Sequence, residues 1–283
     1  MTPAQWRKEF ISKLDGLYPA CEAEGLFFRA AEHFLGLSRL RYSLEKDGDL
    51  PAEDSGRLAE VLGRLGEGLP LQYLTGVQTF YGRDFAVDGR VLIPRGETEE
   101  LVRWVLDRVP GEDGKRVLDV GTGSGAIAVS LAAERPRWSV SALDVSGEAL
   151  EVARENAGRW APQVTFIQGD ILDEMVWDKL DVYDVMVSNP PYVRDSERAG
   201  MHVNVTEHEP SGALFVPDAD PLKFYRAIGW CAVEKLTAGG YLFFEINEAL
   251  GNETAGLLVG LGFSDVRVAK DINGRDRMVS ARK

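Results

Sequence analysis

From Thr98 to the C-terminus, short apolar runs alternate with longer segments of helical spacing, and few folds accept that alternation. Residues 116–120, 140–143, 164–167 and 182–187 read as strands. An amphipathic segment at 98–109 and segments at 126–134 and 148–156 read as helices among them. A helix over 221–236, a strand over 241–246 and a helix over 248–261 follow, and strands over 264–269 and 277–281 close the chain. Strands alternating with helices imply an α/β fold: a largely parallel sheet with helices on both faces.

The first 75 residues have another character. They are poor in β-branched residues, and 4–14, 20–35 and 52–65 carry apolar residues at helical spacing between Gly and Pro breaks. A small helical domain is expected over 1–75. Residues 79–81 and 85–87 flank Gly82-Arg83-Asp84 as a hairpin, and 91–93 run extended up to Pro94, so 76–94 is expected to be a β-hairpin connector. The remaining stretch, 95–283, is the expected catalytic domain.

Composition excludes other classes. The net charge of −13 and the lack of a Lys/Arg-rich run disfavour a protein that binds by neutralising phosphates. No apolar run approaches the ~20 residues that span a bilayer, and Met1 to Lys8 shows no leader pattern. Cys21 and Cys231 lie far apart, and His33, His202 and His208 have no ligand spacing, so neither a disulfide nor a metal site is expected. A cytoplasmic monomer acting without direct nucleic-acid or membrane contact is the expectation.

Between the strand at 116–120 and the next helix lies Asp119-Val120-Gly121-Thr122-Gly123-Ser124-Gly125. Glycines let the backbone turn tightly and approach a ligand, at the strand end where α/β sheets bind cofactors. A glycine loop alone is a weak sign. Asp144, ending the next strand, can accept from both hydroxyls of a ribose. Asp170, ending the third, can accept from an adenine amino group, with Ile171 packed on the base. The spacing is GxGxG rather than the GxGxxG of dinucleotide sites. With Asp119 in front, it resembles the loop of S-adenosylmethionine-dependent methyltransferases. Asp119 either helps to hold the methionine ammonium or only supports the loop.

The strand at 182–187 ends in Asn189-Pro190-Pro191-Tyr192. The prolines fix φ and force extended geometry on the residues before them. A stiff loop results, offering a side-chain amide, a free carbonyl and a ring to a planar group that carries an NH2.

Taken with the cofactor loop, this motif gives the chain a resemblance to the HemK/PrmC family of peptide chain release factor glutamine methyltransferases. The likeness extends over nearly the whole chain. It includes Val91-Leu92-Ile93-Pro94-Arg95-Gly96-Glu97-Thr98-Glu99, Glu209-Pro210 and the closing Lys270-Asp271-Ile272-Asn273-Gly274-Arg275-Asp276-Arg277. It implies a Rossmann-like methyltransferase sheet preceded by a helical domain that docks the protein substrate. It also implies S-adenosyl-L-methionine as cofactor and, as partners, class 1 release factors modified at the glutamine of a Gly-Gly-Gln loop. Gly121, Thr122, Gly123, Ser124, Gly125, Asp144, Asp170, Ile171 and Asn189 fall on its cofactor positions. Asn189, Pro190, Pro191 and Tyr192 fall on its substrate clamp. Gly96 stands where the family usually has proline, and Ile171 where some members have tryptophan.

In the implied chemistry Asn189 and Pro190 accept from the two N–H bonds of the amide, and Tyr192 packs on its flat face. No general base is required. Asn-Pro-Pro-Tyr alone is shared with enzymes that methylate nucleic-acid bases, and a ribosomal-protein glutamine is a further alternative. A non-catalytic binding module would need a spoiled cofactor loop, and this one is intact.

Overall fold

The computed structural model describes residues 1–111 and 114–283. The chain forms two compact units, Met1–Val77 with His202–His208, and Gln78–Met201 with Glu209–Lys283.

The first unit is helical: α1 (Pro3–Lys13), α2 (Ala20–Leu35), α3 (Arg39–Glu45), α4 (Ala52–Gly66) and α5 (Leu71–Thr75). Thr2 and Gln5 form a capping box that fixes the start of α1. Phe10, Phe27, Leu58 and Leu65 are fully buried at its centre. α3 was not expected from sequence. None of its residues is buried, so its sequence carries no apolar stripe to read.

Next come β1 (Val77–Phe80) and β2 (Arg83–Ala86), then α6 (Gly96–Arg108). The turn of this hairpin is Tyr81-Gly82, both with positive φ, rather than Gly82 to Asp84. Glu99 holds the left-handed Tyr81 by accepting its main-chain N–H at 2.9 Å. Phe80 and Phe85 are fully buried in a sheet-face core of the second unit, so the hairpin belongs to that core rather than acting as a bare connector.

From there the chain runs β3 (Arg116–Val120), α7 (Ala126–Glu134), β4 (Ser139–Asp144), α8 (Gly147–Trp160), β5 (Thr165–Gln168), α9 (Glu174–Trp177) and β6 (Tyr183–Ser188). Then follow β7 (Val193–Arg194), α10 (Val203–His208), β8 (Phe215–Val216), α11 (Lys223–Lys235), β9 (Leu236–Glu245), α12 (Gly251–Gly260), β10 (Ser264–Lys270) and β11 (Asp276–Arg282). α10 lies in the segment that completes the first unit. There Asn204 donates to the Tyr18 hydroxyl at 2.6 Å, and His202 Nε2 donates to the Leu17 carbonyl at 2.7 Å.

The central sheet has seven strands in the order β10-β11-β9-β6-β3-β4-β5. Neighbours from β9 to β5 are parallel, and β11 is antiparallel to both β9 and β10. Alternate residues of each central strand feed two cores. Val117, Val185, Val187 and Phe243 pack on one face, and Leu118, Met186, Leu242 and Phe244 on the other. Burial on both faces explains why these strands read as unbroken apolar runs. The order reverses at β3, with β4 on one side and β6 on the other, and ligands bind outside the carboxyl ends of strands at such a point.

Candidate active site

A cavity of ≈ 280 Å³ opens at the carboxyl ends of β3, β4 and β6. That is of the order of pockets holding drug-sized ligands, roughly 300–1,000 Å³.

Its floor is the loop from β3 to α7. Gly121 and Gly123 line it with φ of 73° and 54°, in the left-handed region that disfavours a side chain. A Cβ on either would meet nothing within 4 Å, so open space faces both. Thr122 and Ser124 line it as well. Gly125 does not. It precedes α7, where a Cβ would come within 3.2 Å of the Ala153 Cβ, so this glycine serves helix packing.

Asp119 is completely buried. Its Oδ2 accepts from the Thr122 hydroxyl at 2.6 Å and from the Ala128 N–H at 3.1 Å, while Oδ1 has no partner among the described residues. Burial pushes its carboxyl up to about 7, against the pull of those two bonds. Asp119 supports the loop and is not among the cavity's lining residues.

Asp144 lines the cavity. Oδ2 accepts from the Gly123 N–H at 2.8 Å and Oδ1 from the Ser146 N–H at 2.9 Å. Burial raises its carboxyl above the usual range, and these main-chain donors oppose the rise. A carboxylate oxygen offers two lone pairs, so each keeps one for a ligand hydroxyl. Asp170 is exposed at the rim, with Oδ1 bound to the Leu172 N–H at 2.9 Å. Ile171 is buried and turns apolar surface to the cavity, while its carbonyl accepts from Trp177 Nε1 at 2.9 Å. These groups fit the S-adenosylmethionine implied by the loop: room beside left-handed glycines, paired acceptors for a ribose, and an apolar seat for a base.

Opposite lies the loop after β6. The Ser188 hydroxyl donates to the Val120 carbonyl at 2.6 Å, tying the ends of β6 and β3 together. Asn189, Pro190 and Pro191 line the cavity. The side-chain NH2 of Asn189 donates to the Thr98 hydroxyl at 3.1 Å, and Thr98 donates to Glu245 Oε2 at 2.7 Å. Glu245, at the end of β9, is 1% exposed. Burial raises its carboxyl, opposed by the bonds from Thr98 and Tyr192.

Tyr192 departs from the sequence expectation. Its ring packs against the core beneath the sheet, and its hydroxyl donates to Glu245 Oε1 at 2.9 Å. It does not line the cavity. A buried acceptor at the end of β9 draws the ring inward, and burial next to that carboxylate drives its hydroxyl pKa well up.

Sequence reasoning missed Thr98, Glu245 and Asn156. Thr98 lies within the Ile93-to-Glu99 motif, which was the one available signal. Glu245 shows only as an acid inside an apolar strand. Asn156 has no local signal; it donates to the carbonyls of Ala86 and Ser124 and accepts from the Ala86 N–H. The Glu209 of the family-like segments is buried. It accepts from the Ile93 N–H at 3.1 Å and from Arg95 at 2.6 Å, which fixes the Val91-to-Arg95 rim.

Comparison with known proteins agrees with this geometry. Residues 98–208 match the methyltransferase small domain, and residues 5–76 match the PrmC N-terminal domain. The release factor glutamine methyltransferase of Flavobacterium psychrophilum is 42% identical, over 97% of this chain and 96% of its own. That of Bacteroides thetaiotaomicron is 42% identical over 95% of this chain and 96% of its own. A methyltransferase structure from Pyrococcus furiosus shares the fold, with a TM-score of 0.52 and 21% identity over 81% of this chain and 98% of that one. The chain belongs to the release factor glutamine methyltransferase family.

Proposed function

We propose that this chain methylates the side-chain amide nitrogen of the glutamine in the Gly-Gly-Gln loop of class 1 release factors, using S-adenosylmethionine. One observation carries the chemistry. Asn189, which lines the cavity with Asp144 and the glycine loop, donates from Nδ2 to Thr98, and this anchors the amide with Oδ1 left to accept from a ligand. The names of the relatives favour a release factor over a ribosomal protein or a nucleic-acid base.

When bound, the cofactor supplies an electrophilic sulfonium methyl. The residues of the chain do the rest. Asp144 accepts from the ribose hydroxyls, and Ile171 seats the base beside Asp170. Asn189 Oδ1 and the Pro190 carbonyl accept the two N–H bonds of the glutamine amide. That nitrogen is a poor nucleophile; as it gains the methyl group its hydrogens become more acidic, and one is released to water. Fixed acceptors therefore stabilise the transition state more than the ground state. They also aim the lone pair, and positioning of this kind can contribute ~7–11 kcal/mol. Tyr192 takes no place against the amide face in this scheme; it braces Glu245.

The first unit is the part proposed to receive the protein substrate, supported by the match of residues 5–76 to the PrmC N-terminal domain. The test is transfer of labelled methyl to purified release factor and to a variant whose Gly-Gly-Gln glutamine is replaced. Label on the first and none on the second is expected. Equal labelling of both, or of neither, would overturn the reading.

A further inference from the structure

From a buried carboxylate behind the cavity wall, a chain of hydrogen bonds runs through Thr98, which lines the cavity, to the amide of Asn189, which lines it too. Its direction follows from counting protons. A hydroxyl has one hydrogen. Against the cost of burial, the Thr98 and Tyr192 hydroxyls and the nearby Arg277 charge favour Glu245 as a carboxylate, which only accepts. Glu245 Oε2 takes the hydrogen of Thr98 at 2.7 Å, and Oε1 takes that of Tyr192 at 2.9 Å. Thr98, its only hydrogen spent, can only accept from Asn189, and it does so from Nδ2 at 3.1 Å. Without Glu245, the Thr98 hydroxyl would be free to donate toward Asn189, and the amide could turn its NH2 to the cavity. A donor there would face the donor N–H bonds of a glutamine and repel them.

The partners come from distant parts of the chain. Thr98 is in the first turn of α6, Asn189 follows β6 and Glu245 ends β9. Glu245 is braced further: its carbonyl accepts from the Tyr225 hydroxyl at 3.2 Å. The next polar residue, Asn247, donates to the Tyr192 carbonyl at 3.2 Å and to Glu197 at 2.9 Å. Glu245 does not line the cavity, so it cannot take a proton from the substrate directly.

We infer that Glu245 is a positioning residue which, through Thr98, locks the Asn189 amide with its oxygen toward the substrate and so selects an NH2-bearing group. This rests on the proposed glutamine chemistry for its consequence in turnover, but not for the orientation itself.

Three variants test it: Thr98→Val, Thr98→Ser and Glu245→Leu. Thr98→Ser keeps the hydroxyl and is expected to retain turnover within about threefold. Thr98→Val is expected to lower kcat by at least tenfold with cofactor affinity unchanged, and Glu245→Leu to do the same. In an Asn189→Ala background neither Thr98→Val nor Glu245→Leu should cost anything more, because both act through that amide. A further loss there would make their role merely structural and overturn the inference, as would normal turnover of Thr98→Val. If Glu245→Leu does not fold, Thr98→Val carries the test. A spectroscopic arm needs no substrate. The Asn189 side-chain NH2 resonance of 15N-labelled protein should shift in Thr98→Val and stay in place in Thr98→Ser. An unmoved resonance in Thr98→Val would overturn the lock. Should wild type fail to label any release factor, the proposed substrate falls while this resonance still decides the lock.

Discussion

Asn156 donates a side-chain N–H to the Ser124 carbonyl at 2.9 Å, binding the middle of α8 to the cofactor loop. The same amide accepts from the Ala86 N–H at 2.6 Å and donates to its carbonyl at 3.0 Å. One side chain thus fastens both the hairpin and the loop. Asn156→Ala leaves these main-chain groups short of partners, at roughly 1–3 kcal/mol for each left unsatisfied. A stability loss of about 3 kcal/mol or more by urea unfolding is expected, together with weaker cofactor binding. Unchanged affinity would show that the loop holds its shape without this anchor.

Asn189→Ala removes the free acceptor from the cavity and leaves the cofactor side intact. Methyl transfer should fall at least ~100-fold, by analogy with the loss of an oxyanion donor. Cofactor affinity should hold within a few-fold. Near-normal single-turnover rates would rule out the assigned role.

For Asp144→Ala cofactor affinity is expected to drop, and stability to fall as well, because the Gly123 and Ser146 N–H groups lose their acceptor. Calorimetric titration reads the affinity directly. Loss of two charge-assisted bonds, at ~1.5–3 kcal/mol each, corresponds to a weakening of roughly 100-fold or more. No change in affinity would remove Asp144 from the ribose site.

Asp119 predicts a pH dependence. Its carboxyl is pushed from 3.8 to about 7 by burial. Between those values the folded state holds a proton that the unfolded state has released, so stability falls as pH rises through the window and levels off above it. Asp119→Asn removes the titration. The stability of wild type relative to this variant should decline from pH 4 to pH 7, at up to ~1.4 kcal/mol per pH unit, and then stay flat. Urea unfolding of both proteins at pH 4.5, 6, 7 and 8 measures it, and a pH-independent difference would show that the buried acid does not titrate there.

Gly96 opens α6 without a left-handed φ, and a Cβ there would meet nothing within 4 Å. Its flexibility therefore serves no steric need. Gly96→Ala should stabilise the protein by ~0.4–1 kcal/mol through the unfolded chain, with kcat unchanged. A destabilised variant would mean that the helix start needs glycine geometry.

The central strands were legible because burial on both sheet faces writes itself as continuous apolar runs. The glycine loop, Asp144 and Asn189-Pro190 were legible because turn and strand-end chemistry is local. What escaped was long-range. β9 begins at Leu236 rather than at Tyr241, past a register irregularity against β6 that a run of residues does not announce. Tyr192 was read as packing on the amide because it closes a stiff loop that offers a ring and because it falls on the family's substrate clamp. Its partner, Glu245, lies 53 residues away. Thr98 and Glu245 are 147 residues apart and meet only because α6 begins where β9 ends.

The segment His202–His208 has its partners among residues 1–77, through Tyr18, Leu17 and Glu67. The first unit is therefore written in two places in the gene. Exchange between relatives by a single crossover after Val77 would pair an imported Tyr18 and Glu67 with a resident Asn204 and His208 they were not selected with. Chimaeras meant to swap substrate preference need both stretches from one parent, and a fragment beginning at Gln78 keeps a seven-residue remnant stripped of its companions.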